Sequence, residues 1–215
     1  MKELFFELGL EELPARLVRR ALNELKSSLA QALSDAKLDS GDIQTFATPR
    51  RLALCVQVAE GQEDVTKEMT GPPARIAFDD EGRPTKAALA FAQRNGIGED
   101  ALTTKSTDKG DYLAATIFTP GKRTTELVPG MLIDAIQGLK WPKAMTWGVD
   151  VGPFIRPIHW MVALYGTEQL EVELMGVQAS NKSRGHRFMA PDEFTVTDRA
   201  QWQASLREAF VEPEP

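Results

Sequence analysis

The residues best suited to chemistry in this chain are concentrated in one short segment. Residues 181–189 read NKSRGHRFM, which places three fixed cations and one of only two histidines close together. The chain as a whole is acidic, with 31 Asp and Glu against 25 Lys and Arg and a net charge of -6. A local positive charge on an acidic protein favours a phosphate or carboxylate partner. The candidate contact residues in this segment are Lys182, Arg184, His186 and Arg187.

A second basic pair, Arg50 and Arg51, follows a proline that fixes a tight turn. Guanidinium groups bind phosphate through paired hydrogen bonds, so this pair is also a candidate contact site. The alternative is a structural salt bridge to the acidic cluster Glu7, Glu11 and Glu12. The sequence leaves the two interpretations open.

The motifs of an independent enzyme are not found in the sequence. No P-loop pattern occurs, and Cys55, His159 and His186 lack the spacing of metal ligands. We therefore expect no catalytic residues and no metal site. We expect His159, within an apolar strand, to be partly buried with its hydrogen bonds satisfied. Ser180 or Ser183 with His186 is one conceivable nucleophile and base, but their spacing does not require that arrangement.

The elements that must position these residues alternate between paired strands and amphipathic helices. Apolar residues at helical spacing predict one helix from Pro14 to about Lys37 and another over residues 125–137. Alternating or continuous apolar runs predict strands over 4–8, 43–47, 52–58, 158–165 and 170–174. Because the strands come in pairs, we predict an α+β fold with mixed, largely antiparallel sheets and several packed helices.

The sequence also suggests a domain division and a cellular compartment. Residues 70–73 (TGPP) are predicted to form a loop, which would separate an N-terminal α/β part, 1–70, from a second α+β part, 71–215. One continuous core is the alternative. No run of roughly 20 apolar residues is present for a membrane span, and the acidic start is unlike a secretory signal. We expect a cytoplasmic protein with no membrane partner. The acidic net charge argues against binding to nucleic acid by charge alone, and we expect no DNA partner.

A series of short motifs then occurs in an order that resembles a known family. The motifs are residues 7–14 (ELGLEELP), 48–53 (TPRRLA), 71–72 (GP), 84–88 (PTKAA), 107–113 (TDKGDYL), 143–148 (KAMTWG), 154–160 (FIRPIHW) and 184–188 (RGHRF). Each motif is weak alone, but the ordered set is specific and resembles the beta subunit of bacterial glycyl-tRNA synthetase. That beta subunit is much longer, so the resemblance implies its N-terminal part.

The resemblance implies a function within a heterotetramer of two alpha and two beta subunits. In that family the alpha subunit activates glycine with ATP and Mg²⁺, so no cofactor is expected in this chain. The chain would contribute to subunit assembly and tRNA binding. The residues expected to contact tRNA or the alpha subunit are Arg50, Arg51, Lys182, Arg184, His186 and Arg187. Two alternatives stay open: a module that only docks the alpha subunit without RNA contact, and an editing-like hydrolytic domain.

Overall fold

The computed structural model describes residues 1–79, 81–108, 110–148 and 151–214. Lys109, within the motif at 107–113, therefore lies outside the described residues. Helices and antiparallel sheets are mixed along the chain, which confirms the α+β class. The chain forms two compact units, one of Met1–Gln62 with Lys122–Pro215 and one of Glu63–Gly121.

The elements of the described residues follow one another in a fixed order. They are β1 (Lys2–Leu10), α1 (Ala15–Asp35), β2 (Gln44–Thr48), β3 (Arg51–Val58), β4 (Val65–Pro73), α2 (Ala74–Ala77), α3 (Lys86–Asn95), β5 (Leu102–Thr107), β6 (Gly110–Thr119), α4 (Thr124–Gln137), β7 (Ile158–Tyr165), β8 (Glu168–Gln169), β9 (Glu173–Leu174), β10 (Val177–Gln178), β11 (Lys182–Arg184), β12 (Glu193–Thr195) and α5 (Arg199–Glu208). None of these helices is long and apolar enough to cross a membrane.

The larger unit is built on a five-stranded antiparallel sheet in the order β2-β3-β1-β7-β8. One face packs against α1 and α4. Successive residues of a strand point to opposite faces, so alternate residues of β1 contribute to this core. Buried side chains on this side include Leu4, Phe6, Leu8, Leu25, Leu29, Leu33, Leu132 and Ile136. The amphipathic stripe of α1 therefore supplies much of this core, as its helical spacing indicates.

The opposite face of the sheet is covered by α5. The fully buried Trp202 lies with its ring centroid 5.1 Å from that of Phe5 and 5.7 Å from that of Phe46. Asp198 caps α5 by accepting a hydrogen bond from the Gln201 N–H at 2.9 Å. Such a cap satisfies one of the N–H groups that a helix start leaves without an intrahelical partner.

The smaller unit holds a three-stranded antiparallel sheet in the order β4-β6-β5, with α2 and α3 packed on a small core of Ala77, Ala88 and Leu113. The predicted loop at residues 70–73 is wrong, because β4 continues through it to Pro73. Proline is tolerated there since β4 is an edge strand, and the pairing register shifts between Thr70 and Pro73.

Two other sequence predictions need correction. Pro14 precedes α1 instead of starting it. Of the strand expected over residues 170–174 only Glu173–Leu174 forms, as β9, because the Val172 N–H donates to the Leu170 carbonyl at 3.1 Å and bends the chain before it. The alternating apolar pattern instead reflects burial of Leu170, Val172 and Leu174.

The two units follow from strand pairing between distant parts of the sequence. Strand β1 lies between β3 and β7, which brings residues 122–214 into the same unit as residues 1–62. The division predicted from the sequence, into residues 1–70 and 71–215, differs from these two units. A pattern along the chain marks strands, but it does not say which of them pair across a long separation.

Candidate functional site

A buried ion pair lies on the face of the sheet that α5 covers. Glu7 is opposite Ala53 and Gly9 is opposite Arg51, so the Glu7 and Arg51 side chains are diagonal neighbours on that face. Arg51 Nη1 is 3.2 Å from Glu7 Oε1, with exposed fractions of 2% and 0%. Burial lowers the pKa of Arg51, and the Glu7 carboxylate opposes this by raising it.

Two other polar atoms of this pair bind segments from far along the chain, whereas the buried Arg51 Nε has no hydrogen-bond partner among the described residues. Trp202 Nε1 donates to Glu7 Oε2 at 3.0 Å, and Arg51 Nη2 donates to the Arg184 carbonyl at 2.8 Å. These bonds anchor α5 and β11 to the sheet. Arg51 forms the structural salt bridge, and only 2% of its side chain is exposed. Its role as a contact residue stays a prediction.

A buried tryptophan lies directly over a glycine of the central strand. A Cβ atom at Gly9 would be 2.0 Å from Trp160 Cδ2, so the indole can cross β1 only because residue 9 has no side chain. Three guanidinium groups also lie around the Trp160 ring. The distances from its ring centroid to the guanidinium carbon are 5.9 Å for Arg50, 5.7 Å for Arg51 and 5.7 Å for Arg184, within cation–π range.

Glu11 connects the first strand–helix turn to the basic segment. Its Oε1 is 2.8 Å from Arg187 Nη1, and its Oε2 is 3.2 Å from His159 Nε2. Partial burial raises the pKa of Glu11, but Arg187, Arg50 and His159 together lower it further, so the net direction is down. His159, expected to be partly buried, has 37% of its side chain exposed, and its Nε2 pairs with Glu11.

His186 fixes the turn that follows β11. Its Nδ1 accepts hydrogen bonds from the backbone N–H groups of Phe188 and Met189, each at 3.2 Å. In the neutral ring the proton is therefore on Nε2. Among the described hydrogen bonds, none joins His186 to Ser180 or Ser183. His186 thus has a structural role here, and the described contacts do not assemble a nucleophile and base.

The two basic regions of the sequence converge on one cleft of ≈ 360 Å³. Its lining includes Arg50, His186, Arg187, Phe188 and Phe210. Two carboxylates, Glu12 and Glu212, also line it. We call this site the Phe188–Phe210 cleft. Arg50 and Arg187 reach it from β-strand connections far apart in sequence, because the buried ion pair holds β3 and β11 together.

The other two candidate cations, Lys182 and Arg184, are not among the residues that line this cleft. Arg184 pairs with Glu193 across the β11–β12 ribbon, with 2.8 Å between Nη2 and Oε1. Lys182 is exposed, and its ammonium group hydrogen-bonds Thr195 on the same ribbon. Both side chains therefore already have a partner on the β11–β12 ribbon.

The remaining reactive group is the single cysteine. Burial, reinforced by the nearby Glu3, raises the pKa of Cys55 to about 12. Because the thiolate is the nucleophilic form, this thiol is inert at neutral pH. No group of three potential metal-binding side chains occurs among the described residues.

Three aromatic residues of this region were not identified from the sequence. Trp202 completes the buried network, while Phe188 and Phe210 are 81% and 60% exposed at the cleft. Phe188 could have been found from the sequence, because it directly follows the cations of the basic segment. Nothing local marks Trp202 or Phe210, whose positions depend on how α5 packs on the sheet.

Comparison with known proteins gives a consistent result. A family model described as glycyl-tRNA synthetase beta subunit matches residues 4–215. A glycine–tRNA ligase beta subunit of Syntrophus aciditrophicus is 43% identical over 97% of this chain and 30% of its own length. The corresponding protein of Myxococcus xanthus is 39% identical over 98% of this chain and 30% of its own length. That of Thermodesulfovibrio yellowstonii is 35% identical over 100% of this chain and 32% of its own length.

The relatives named above are all subunits of a tRNA ligase. The chain belongs to the glycyl-tRNA synthetase beta subunit family, which confirms the resemblance found in the sequence motifs. It spans about 30% of the length of the curated relatives it matches, and it corresponds to their N-terminal part.

Proposed function

We propose that this chain is the N-terminal region of a beta subunit that contributes to subunit assembly and tRNA binding in an α2β2 glycine–tRNA ligase. The observation that carries the proposal is the family match over residues 4–215. The alpha subunit would activate glycine with ATP and Mg²⁺, and this chain would supply binding surface without an adenylate site. The proposed compartment is the cytoplasm, which suits a chain with one buried, unpaired cysteine.

The charged groups at the Phe188–Phe210 cleft support RNA contact. Arg187 is 48% exposed, and its pairing with Glu11 is a surface ion pair that a phosphate can displace at small cost. Arg50 is half-buried at the cleft and forms no ion pair with a described carboxylate. Both guanidinium groups can bind phosphate, which would position an RNA without reading its sequence.

Subunit assembly is tested by reconstitution. The chain is mixed with a candidate alpha subunit, with and without tRNA, and the mixture is separated by size-exclusion chromatography. We expect the chain to elute with the alpha subunit. Elution apart from it under all conditions would contradict the assembly part of the proposal.

RNA contact is tested by gel shifts of tRNA at several salt concentrations. We expect Arg50→Ala and Arg187→Ala to weaken binding and each to reduce the slope of log K against log salt by about 1, since each removes one phosphate contact. Arg19→Ala, an exposed arginine on α1, is the matched control and should bind as the parent chain does. Co-elution with the alpha subunit without tRNA binding would favour a pure docking module.

The absence of an adenylate site is tested with the chain alone. With glycine and ATP it should form no glycyl-adenylate, measured by pyrophosphate exchange. Exchange above background would reject this part of the proposal.

A further inference from the structure

Phe210 occupies a backbone position that favours glycine. It lies just after α5, and its backbone φ angle of 60° is in the left-handed region. The Val211 N–H donates to the Leu206 carbonyl at 2.8 Å, and the Phe210 N–H donates to the Arg207 carbonyl at 3.1 Å. These two bonds form a Schellman motif, whose left-handed residue is usually glycine. A bulky residue with positive φ is an outlier that calls for a functional explanation.

Burial does not explain the phenylalanine at this position. Phe210 is 60% exposed, so its ring contributes little to a core. The side chain is therefore unfavourable for the local backbone and is not offset by packing. A role in binding accounts for both observations, because exposed aromatic rings at a concave site provide contact area to a ligand.

Phe188 is the second exposed ring at the same cleft, with 81% of its surface accessible. The two hydrogen bonds to His186 Nδ1 fix its backbone, so the ring projects from a rigid turn. The guanidinium carbon of Arg187 lies 5.7 Å from the centroid of this ring. A ring with an adjacent guanidinium can stack on a flat π-system while the cation binds a nearby anion.

The size of the cleft favours a small occupant. Its volume of ≈ 360 Å³ falls in the range of sites for small ligands, about 300–1,000 Å³. A specific protein partner instead covers a surface of roughly 20–30 residues on each side. The cleft therefore suits a single nucleotide better than a folded protein.

The charges at the cleft suit one phosphate rather than several. Arg50 and Arg187 supply positive charge, while Glu12 and Glu212 lie on the same lining. Glu212 is already paired with Arg207, with 3.3 Å between Oε2 and Nε. A long run of phosphates would meet these carboxylates, whereas one phosphate beside Arg50 or Arg187 would not. Aromatic rings next to a few cations are typical of sites for single-stranded nucleic acid.

We propose that the Phe188–Phe210 cleft binds one unpaired nucleotide of an RNA. Its base stacks on Phe188 or Phe210, and its phosphate is bound by Arg50 or Arg187. This inference rests on the proposed tRNA binding and specifies the part of the RNA that the cleft accepts. Double-helical RNA keeps its bases stacked and does not offer them to such rings.

The test uses the 215-residue chain with two fluorescein-labelled probes, a single-stranded RNA octamer of mixed sequence and a blunt RNA duplex. Fluorescence anisotropy at fixed ionic strength gives the two affinities. We expect the single strand to bind more tightly than the duplex. At least one of Phe188→Ala and Phe210→Gly should weaken single-strand binding by about 5- to 150-fold, the range for loss of one stacked base.

Two controls separate a binding role from a structural one. Phe118→Ala removes a ring that is 61% exposed in the other unit, and it should leave binding unchanged. Phe210→Gly should keep or raise the melting temperature, because glycine adopts the left-handed conformation readily. If Phe210→Gly lowers the melting temperature, the ring is structural, and Phe188→Ala alone then decides the proposal.

The outcomes distinguish this inference from the proposed function. If intact tRNA binds the chain but both phenylalanine variants bind it and the octamer as tightly as the parent chain, only the cleft assignment is overturned. If the variants keep RNA affinity but no longer co-elute with the alpha subunit, the cleft is a protein-docking site and the inference is wrong. If the parent chain binds no tRNA, the RNA-binding part of the proposed function fails as well.

Discussion

The two faces of the five-stranded sheet hold the larger unit together by different physical means. The face toward α1 and α4 is a continuous apolar core. The face toward α5 combines apolar contacts with the Glu7–Arg51 pair, which bonds Trp202 and the Arg184 carbonyl. Apolar burial is non-directional and tolerates many partners. A buried charge pair is costly unless its geometry is satisfied, so it restricts which segments can pack there.

This difference relates the core to the candidate site. The two segments tied to the ion pair, β11 and α5, are the ones that lead into Phe188 and Phe210 at the cleft. The Glu7–Arg51 network therefore serves as a positioning device for the cleft. The face toward α1 and α4 stabilises the fold through apolar burial and does not fix the position of the cleft.

The largest effect should come from breaking the ion pair. Glu7→Ala leaves the Arg51 charge buried and unpaired, and it removes the acceptor for Trp202, so unfolding should become easier by about 3–5 kcal/mol in urea denaturation. The double variant Glu7→Met with Arg51→Met removes both charges and should recover most of this loss. A single Glu7→Ala cost below about 1 kcal/mol would show that the pair does not restrain this face.

Truncating a buried side chain on the apolar face should lower the free energy of unfolding by a somewhat smaller amount. Leu29→Ala in α1 creates a cavity in a fully buried position and should cost about 3 kcal/mol, within the range of 2–5 for such changes. Leu89→Ala on α3, where the leucine is 37% exposed, is the matched control with little expected change. RNA binding by Leu29→Ala at a temperature where it is folded should equal that of the parent chain.

Adding a methyl group at residue 9, where Trp160 packs, should lower the free energy of unfolding by less than the two changes above. Gly9→Ala places a Cβ atom 2.0 Å from the Trp160 ring, and displacement of the indole should lower stability by about 1–3 kcal/mol. Gly130→Ala in α4 meets nothing within 4 Å and should instead stabilise the helix by about 0.5–1 kcal/mol. Equal effects of the two substitutions would contradict the close packing described for Gly9.

The smallest effect concerns Glu11 and pH. Its pKa in the folded chain lies below the ordinary value of 4.5, so its contribution to stability is present above about pH 4.5 and is lost as the pH falls through the folded pKa. The contribution should not exceed about 1 kcal/mol, because the pair is on the surface. Comparing the parent chain with Glu11→Gln in urea from pH 7 to pH 3 tests this. A difference that grew toward low pH would have the wrong sign.

Many elements of the larger unit could be predicted from the sequence. The stripe of leucines in α1 and the apolar runs of β3 and β7 gave the correct element types, because their periods are strong and their faces are buried. The strand expected over residues 170–174 forms only at Glu173–Leu174, because alternating burial of residues 170–172 does not require a ladder partner. The expected loop over residues 70–73 failed because an edge strand tolerates proline.

The candidate site was predicted less completely. Arg50, His186 and Arg187, which the sequence offered as candidate contact residues, all line the same cleft. Their roles as contact residues stay predictions. Arg51 is buried in the ion pair, and the exposed rings of the cleft depend on a helix end whose left-handed residue is phenylalanine.

The sequence by itself determined the α+β class, the family and the two basic segments, because periodicity, ordered motifs and local charge are properties of neighbouring residues. Only the tertiary structure decided that Glu7 pairs with Arg51, that Trp160 crosses Gly9, and that residues 50 and 187 share a cleft. Those facts depend on which strands lie side by side. That choice is made by the packing of both sheet faces together, and it leaves no local signal in the chain.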